Sequence, residues 1–341
     1  MVLAPAMVEG LPTALKSGGI LALEFIGPYL VARCLLRTVS QLHGAVRLFC
    51  IFAAIVGPLG SLDTVGGYPV LHDELPRLTG YTYLATAIVH DPSDMYRLGL
   101  FRAQAIFEHP ILFGVAMCYA LILVGGLSGA RRVLCFIGCG TGLFLSLSSA
   151  PWLATIIGFG ALIYRRAACS IGHRWLLLVA GGACIIGAIF IVSKNPFGFI
   201  FSHLTLDAST AYFRLLIWQY AGWDLWQSPI FGIGISTDWL RPEWMPDSVD
   251  SLWLRAAMIY GIPGSVLIAS SLIAASSRPV RVTPRNAGFI GRREMRLAEA
   301  LGIVTFLTVF LGFTVYYWGI CSLILSLLVG IRATLGQLAA E

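Results

Sequence analysis

The sequence predicts an all-α, polytopic integral membrane protein: a bundle of about nine transmembrane helices with two large extracytoplasmic loops. Three observations carry this reading. The 341-residue chain is 57% hydrophobic and only 12% charged, about half the ~25% charged share of a soluble domain, and its mean hydropathy is +0.82. Apolar runs of about 20 residues, the length a helix needs to cross the hydrocarbon core, recur along the whole chain. Basic and acidic residues alternate between successive loops. Spanning segments must satisfy their backbone internally, and the runs lack the apolar/polar alternation of a β-barrel.

The apolar segments follow in order. The first is Gly18–Leu36, interrupted by Glu24, Pro28 and Arg33; Glu24 must face protein or water there and reads as structural. The second runs over Leu48–Leu62, and a polar stretch, Asp63–Pro110, follows. The third span is Ile111–Leu127. Val133–Tyr164 is apolar for 32 residues, too long for one straight span. Ser148–Pro151 divides it into a hairpin whose turn lies within the bilayer depth. Irregular backbone there needs protein or water beside it, so the turn is expected to line a cavity. Later spans are Trp175–Val192, Leu252–Ala275, Leu297–Val315 and Gly319–Ile331. The chain reads as one membrane domain, 1–341. Its parts are the N-terminal helices and first outer loop (18–132), a core with the short hairpin and a large outer loop at 194–250 (133–275), and a basic loop with a C-terminal helix hairpin (276–341).

Loops at 33–47, 131–132, 165–174 and 278–296, with Arg332, hold 15 of the 23 Lys and Arg and one acid, Glu294. The alternate loops, 61–110 and 194–250, hold 12 of the 17 acids. The two sets alternate only if 133–164 is a hairpin. The positive-inside rule then puts the basic loops in the cytoplasm and the acidic loops outside. The net charge of +6 is a topology signal and implies no nucleic-acid partner. Residues 1–17 fall outside in this reading. They lack the basic start and short apolar core of a signal peptide, so one or more preceding helices are expected to be missing. The eight cysteines form no CxxC and mostly lie in apolar runs, which reads as small core residues with no metal or disulfide role.

The stretch Thr210–Gly264 is polar, aromatic and charged together. Arg214 lies among Tyr212, Phe213, Trp218 and Tyr220; it is either an interfacial anchor or a diphosphate clamp, whose guanidinium fork matches phosphate oxygens. Arg97 and Arg102 lie before the third span, with Glu108 and His109 at its mouth; they read either as snorkelling residues at a helix start or as a second cationic group for an anionic lipid substrate. Arg102 and His109 share one side if the segment is helical. Asp247 and Asp250 precede an apolar helix; either caps it, or a carboxylate there is general base for a sugar hydroxyl. FGIG at 231–234 and GIPG at 261–264 give tight turns and close helix approach.

FRLLIWQYAGWDLWQSPIFGIG followed by DSVDSLWLRAAMIYGIPG resembles the signature region of the O-antigen ligase/Wzy polymerase family. The matching features are Arg214, the aromatic Trp218, the turn Pro229–Gly234, Asp250, and Gly261 to Gly264. FRAQAIFEHPILFG resembles the family's entry to the preceding core, and the resemblance spans about Arg102–Leu272. It implies a membrane glycosyltransferase using undecaprenyl-diphosphate-linked saccharides, without cofactor, metal or nucleotide sugar, at the outer face of the bacterial inner membrane. Arg214 and Asp250 are then catalytic, with Arg97, Arg102, His109, Trp218 and Asp247 binding substrate. Partners are the lipid-linked saccharide, membrane lipid, and a chain-length regulator and flippase of the same pathway. Asp250 stands where the ligases carry His, and the hairpin has Ser149–Ala150–Pro151 where the family has Ser-Arg. Both differences point to a repeat-unit polymerase of exopolysaccharide, capsule or O-antigen, with ligase-type transfer to another acceptor as the alternative. A transporter of lipid-linked sugar without covalent chemistry is the remaining reading; the absent internal repeat speaks against it.

Overall fold

The computed structural model describes residues 3–80, 95–193, 208–235, 239–245, 248–280, 288 and 290–340. A short helix α1 (Leu3–Glu9) leads into α2 (Leu11–Leu35) and α3 (Val39–Gly66). Helix α4 (Val70–Thr79) and a two-stranded antiparallel hairpin, β1 (Tyr96–Arg97) and β2 (Leu100–Phe101), follow. Then come α5 (Pro110–Leu123), α6 (Gly129–Leu145), α7 (Ser149–Ala167), α8 (Arg174–Val192), α9 (Ala208–Gln227), α10 (Leu252–Ser277), α11 (Arg292–Leu311) and α12 (Gly319–Leu338). A helix stands at every apolar segment read from the sequence. Five described helices, α2, α3, α8, α10 and α12, are long and apolar enough to cross a membrane.

Helix α5 is the centre. It is apolar on every side and buried from Leu112 to Leu123, as such a helix must be. Helices α3, α6, α7, α11 and α12 surround it. Tyr119 reaches across from it to the Thr308 hydroxyl at 2.8 Å, and the Tyr317 hydroxyl donates to the Thr308 carbonyl at 3.0 Å. Helices α3 and α6 meet backbone to backbone: a Cβ on Gly57 would lie 2.1 Å from the Gly138 carbonyl oxygen, and one on Gly138 2.3 Å from that of Ala54. Association in lipid relies on such small-residue contacts, because burying Leu against Leu gains little there. Helix α8 buries no residue and presents apolar side chains on all sides. Five cysteines are buried; Cys34, Cys169 and Cys184 are exposed, departing from the expected core role, and all eight are unbridged.

The hairpin within 133–164 is present: α6 ends at Leu145, Leu147 takes φ 46°, and α7 begins at Ser149. Its turn does not line an open cavity as expected. Ser146, Ser148, Ser149 and Ala150 are all buried, because the segment after β2 lies over them. Ala103 N–H donates to the Leu145 carbonyl at 3.0 Å. Protein donors thus answer carbonyls of the irregular backbone at this turn.

The basic loops gather at one end. Glu299 accepts from Arg174 at 2.8 Å and Arg165 at 3.2 Å, and His43 lies 3.1 Å from Glu294. Arg332 lies inside α12 and is buried, rather than in a loop. It donates to the carbonyls of Ser276 and Arg278 at 2.8 and 2.7 Å, where α10 ends and its carbonyls lack helical partners.

Candidate functional site

The opposite end collects the chemistry. Asp63, at the end of α3, builds its frame. The buried carboxylate accepts from Ala105 N–H at 2.7 Å and from the N–H groups of Gln104 and Val70 at 3.0 Å each. This holds Ala105 at φ 51°, a left-handed conformation a side-chain-bearing residue seldom adopts. Residues 102–109 are therefore a pinned irregular segment, and the helical register expected between Arg102 and His109 is absent. His72 Nε2, 2.7 Å from the Phe107 carbonyl oxygen, donates to it and holds the same segment.

On that frame Arg102 and Arg97 flank the hairpin turn. Arg102 is buried and donates through Nη2 to Ser148 Oγ at 2.9 Å, and Arg97 donates through Nη1 to the Leu147 carbonyl at 3.2 Å. Arg214, from α9, is 5% exposed, and its Nε is buried with no partner among the described residues. Burial lowers its pKa; Asp250 nearby opposes that shift, and Arg97 adds to it. Guanidinium groups keep their proton at any working pH. Arg97 and Asp250, from distant segments, thus each stand within electrostatic reach of Arg214.

Asp250 is not the cap of α10. Ser251 is: its hydroxyl accepts from Leu254 N–H at 3.3 Å and donates to the Gly312 carbonyl at 3.0 Å. Asp247 and Asp238 lie outside the described residues. His109 caps α5, its Nδ1 accepting from Ile111 N–H at 3.0 Å. Trp218 donates to the Phe313 carbonyl at 3.2 Å and stacks on the Phe313 ring, which docks α9 onto the segment before α12.

Glu108 was not singled out as a site residue by the sequence. Its Oε1 accepts from Ile320 N–H at 3.0 Å, at the start of α12, while Oε2 is buried without a partner among the described residues. Burial raises its pKa, the neighbouring Glu24 pushes the same way, and the two backbone hydrogen bonds oppose them. Arg255 places its guanidinium 4.6 Å from the centroid of the Tyr316 ring. No pattern in the sequence marks these pairings, because the partners lie far apart in the chain. Among the described residues no group of three or more His, Cys, Asp or Glu is gathered to hold a metal ion.

The two glycine motifs form one device. Helix α10 breaks at Gly261 (φ 73°, ψ 168°). The break frees the Met258 carbonyl and the Ile262 N–H, which an unbroken helix would pair. The turn 229–234 takes both: Ile233 N–H donates to Met258 O at 2.6 Å and Ile262 N–H to Pro229 O at 2.8 Å. Side chains are excluded on both sides, since a Cβ on Gly261 would lie 1.9 Å from the Ile230 oxygen and one on Gly232 2.2 Å from that of Met258. The close approach expected from FGIG and GIPG is real, and it positions the end of α9 against the start of α10.

A bundle of apolar helices, five of the described ones long and apolar enough to cross a membrane, defines a multi-pass membrane protein. Residues 134–269 match a family model described as O-Antigen ligase, consistent with the O-antigen ligase/Wzy-type family that the motifs resemble. Members of that family are membrane enzymes that transfer glycan, and the match supports a membrane function in surface-glycan assembly. The matched stretch contains Arg214, Trp218 and Asp250 and excludes Arg97, Arg102 and His109. No curated protein matches the chain.

Proposed function

We propose that the protein is a glycosyltransferase of the bacterial inner membrane that polymerises undecaprenyl-diphosphate-linked repeat units into surface polysaccharide, with its site on the outer face. The observation that carries this is the buried Arg214, which feels the charges of both Asp250 and Arg97. In the reaction, a hydroxyl of one lipid-linked repeat attacks the anomeric carbon of the growing chain. The bond from that carbon to the diphosphate breaks, and polyprenyl diphosphate leaves with the electron pair. Arg214 and Arg97 stabilise the charge that develops on it, an electrostatic role needing no protonating acid and no metal. Asp250 takes the proton from the attacking hydroxyl. Ser251, and not Asp250, supplies the cap of α10, so the base role does not compete with capping. A chain-length regulator and a flippase of the same pathway are the expected partners.

The description of the matched family favours a second reading, transfer of a finished chain to a different acceptor. Deleting the gene separates the two. Loss of the polymerase leaves lipid-linked single repeats; loss of a ligase leaves long lipid-linked chains that never reach their acceptor. Unchanged surface polysaccharide and lipid-linked pools would overturn both.

A further inference from the structure

The basic end holds a cavity of about 400 Å³ that the glycan-transfer reading does not use. Its origin lies in the length of α5. Its fourteen residues at ~1.5 Å each and the 3-10 turn Val124–Gly126 that follows at ~2 Å each span about 27 Å, a little short of the ~30 Å hydrocarbon core. Helices α6, α7 and α11 continue past its end and leave a space beneath it, floored by Gly125 and Gly126. A Cβ on either glycine would meet nothing within 4 Å.

Five arginines line this space: Arg132, Arg165, Arg166, Arg293 and Arg296. No acid lines it. Glu299, the nearby carboxylate, is already shared by Arg165 and Arg174. The other four lining arginines make no ion pair among the described residues. Below the charged rim the wall is apolar, and two of its members, Phe136 (48% exposed) and Ile163 (67% exposed), face outward on the bundle. The cavity therefore opens sideways onto lipid with cations at headgroup level and hydrocarbon beneath. An anion with an apolar tail answers both surfaces.

We propose that this cavity binds an anionic phospholipid, its phosphate among the arginines and its first methylenes against Phe136 and Ile163. The lipid belongs to the leaflet at the basic end, away from the glycan site. The site rests on the multi-pass membrane fold and is independent of the polymerase reading.

The test uses the purified full chain in vesicles of phosphatidylcholine with a minor share of spin-labelled phosphatidylglycerol. Wild-type protein is expected to immobilise the labelled phosphatidylglycerol in preference to labelled phosphatidylcholine. Arg293→Gln with Arg296→Gln is expected to weaken that preference about tenfold or more. Gly125→Phe, which alters no charge but fills the floor, is expected to abolish it. Both variants are first required to unfold at the wild-type temperature in detergent; if Gly125→Phe fails this, Ile163→Trp takes its place. Equal immobilisation of both lipids would overturn the proposal, as would full retention of the preference after filling the cavity, which would mark a diffuse basic surface. Displacement by millimolar inorganic phosphate, or stronger binding of polyprenyl phosphate than of phosphatidylglycerol, would also overturn it by naming a different occupant.

Discussion

Replacing Asp63 tests whether one buried carboxylate holds the arginine site together. Its oxygens divide their work: Oδ2 accepts from Gln104 and Ala105, and Oδ1 from Val70. A hydrogen bond to a charged acceptor contributes about 1.5–3 kcal/mol net. Asp63→Ala loses all three, but Val70 is only half-buried and its N–H can turn to water. The expected loss is therefore about 4 kcal/mol, from the two deeper bonds and the donors left unpaired. Asp63→Asn can point its carbonyl at the Gln104 and Ala105 pair and its amide at Val70, keeping two bonds and losing one. About 2 kcal/mol is expected. Unfolding of the purified protein in mixed detergent should rank wild type above Asn and Asn above Ala. Transferase activity should fall in the same order, since the pinned segment carries Arg102. The reasoning fails if Ala lies within about 1 kcal/mol of wild type, or if Asn is the weaker of the two substitutions.

The remaining predictions concern the site itself. Arg214→Lys keeps charge but loses the fork and should retain some polymer synthesis, while Arg214→Ala should retain almost none; equal activity of both would remove the diphosphate role. Asp250→Asn should lower the rate about 10²–10⁴-fold, with lipid-linked single repeats accumulating. Because Ser251 caps α10, folding should be unaffected; a silent substitution would transfer the base role elsewhere. Glu108 has a pKa raised by burial, so its neutral form is the one the fold tolerates. That stability is present below the ordinary glutamate value of 4.5 and is lost as pH rises through the raised folded value. Thermal unfolding across that range should show this slope in the wild type and a flatter profile in Glu108→Gln; identical profiles would count against the buried carboxyl. Gly261→Ala meets a backbone oxygen at 1.9 Å at a φ of 73°. It should destabilise by about 2 kcal/mol or more, seen as a lower unfolding temperature with reduced activity.

What the sequence made legible was periodic or punctuated. The charge alternation required a hairpin in 133–164, and the break stands at Leu145–Ser149. The glycine motifs announced close approach, and the turn 229–234 is seated on the α10 break. Arg97, Arg214 and Asp250 were chosen separately, and Arg214 feels the charges of both others. What stayed hidden depends on partners far along the chain. Asp63 bonds residues 41 and 42 positions away, and Arg102 reaches Ser148 at a separation of 46. Local rules also misassigned the α10 cap, since Asp250 and Ser251 are adjacent and both suit the position. Only the hydroxyl's bond to Gly312 distinguishes them.

The break in α10 also gives a long helix a fastening at its middle. An unbroken helix of 26 residues would run about 39 Å and would have to tilt whenever bilayer thickness changed. Gly261 instead separates a rod of roughly 14 Å, running from Leu252 to Tyr260, from the remainder of the helix. That rod is fastened to the turn at 229–234 and to Gly312 and Val315 by backbone hydrogen bonds. The remainder is tied across the bend too, Ile262 N–H donating to the Pro229 carbonyl and Ser265 Oγ to the Trp253 carbonyl, so both pieces of the helix share one anchorage and the segment carrying Asp250 leads into a fixed rod.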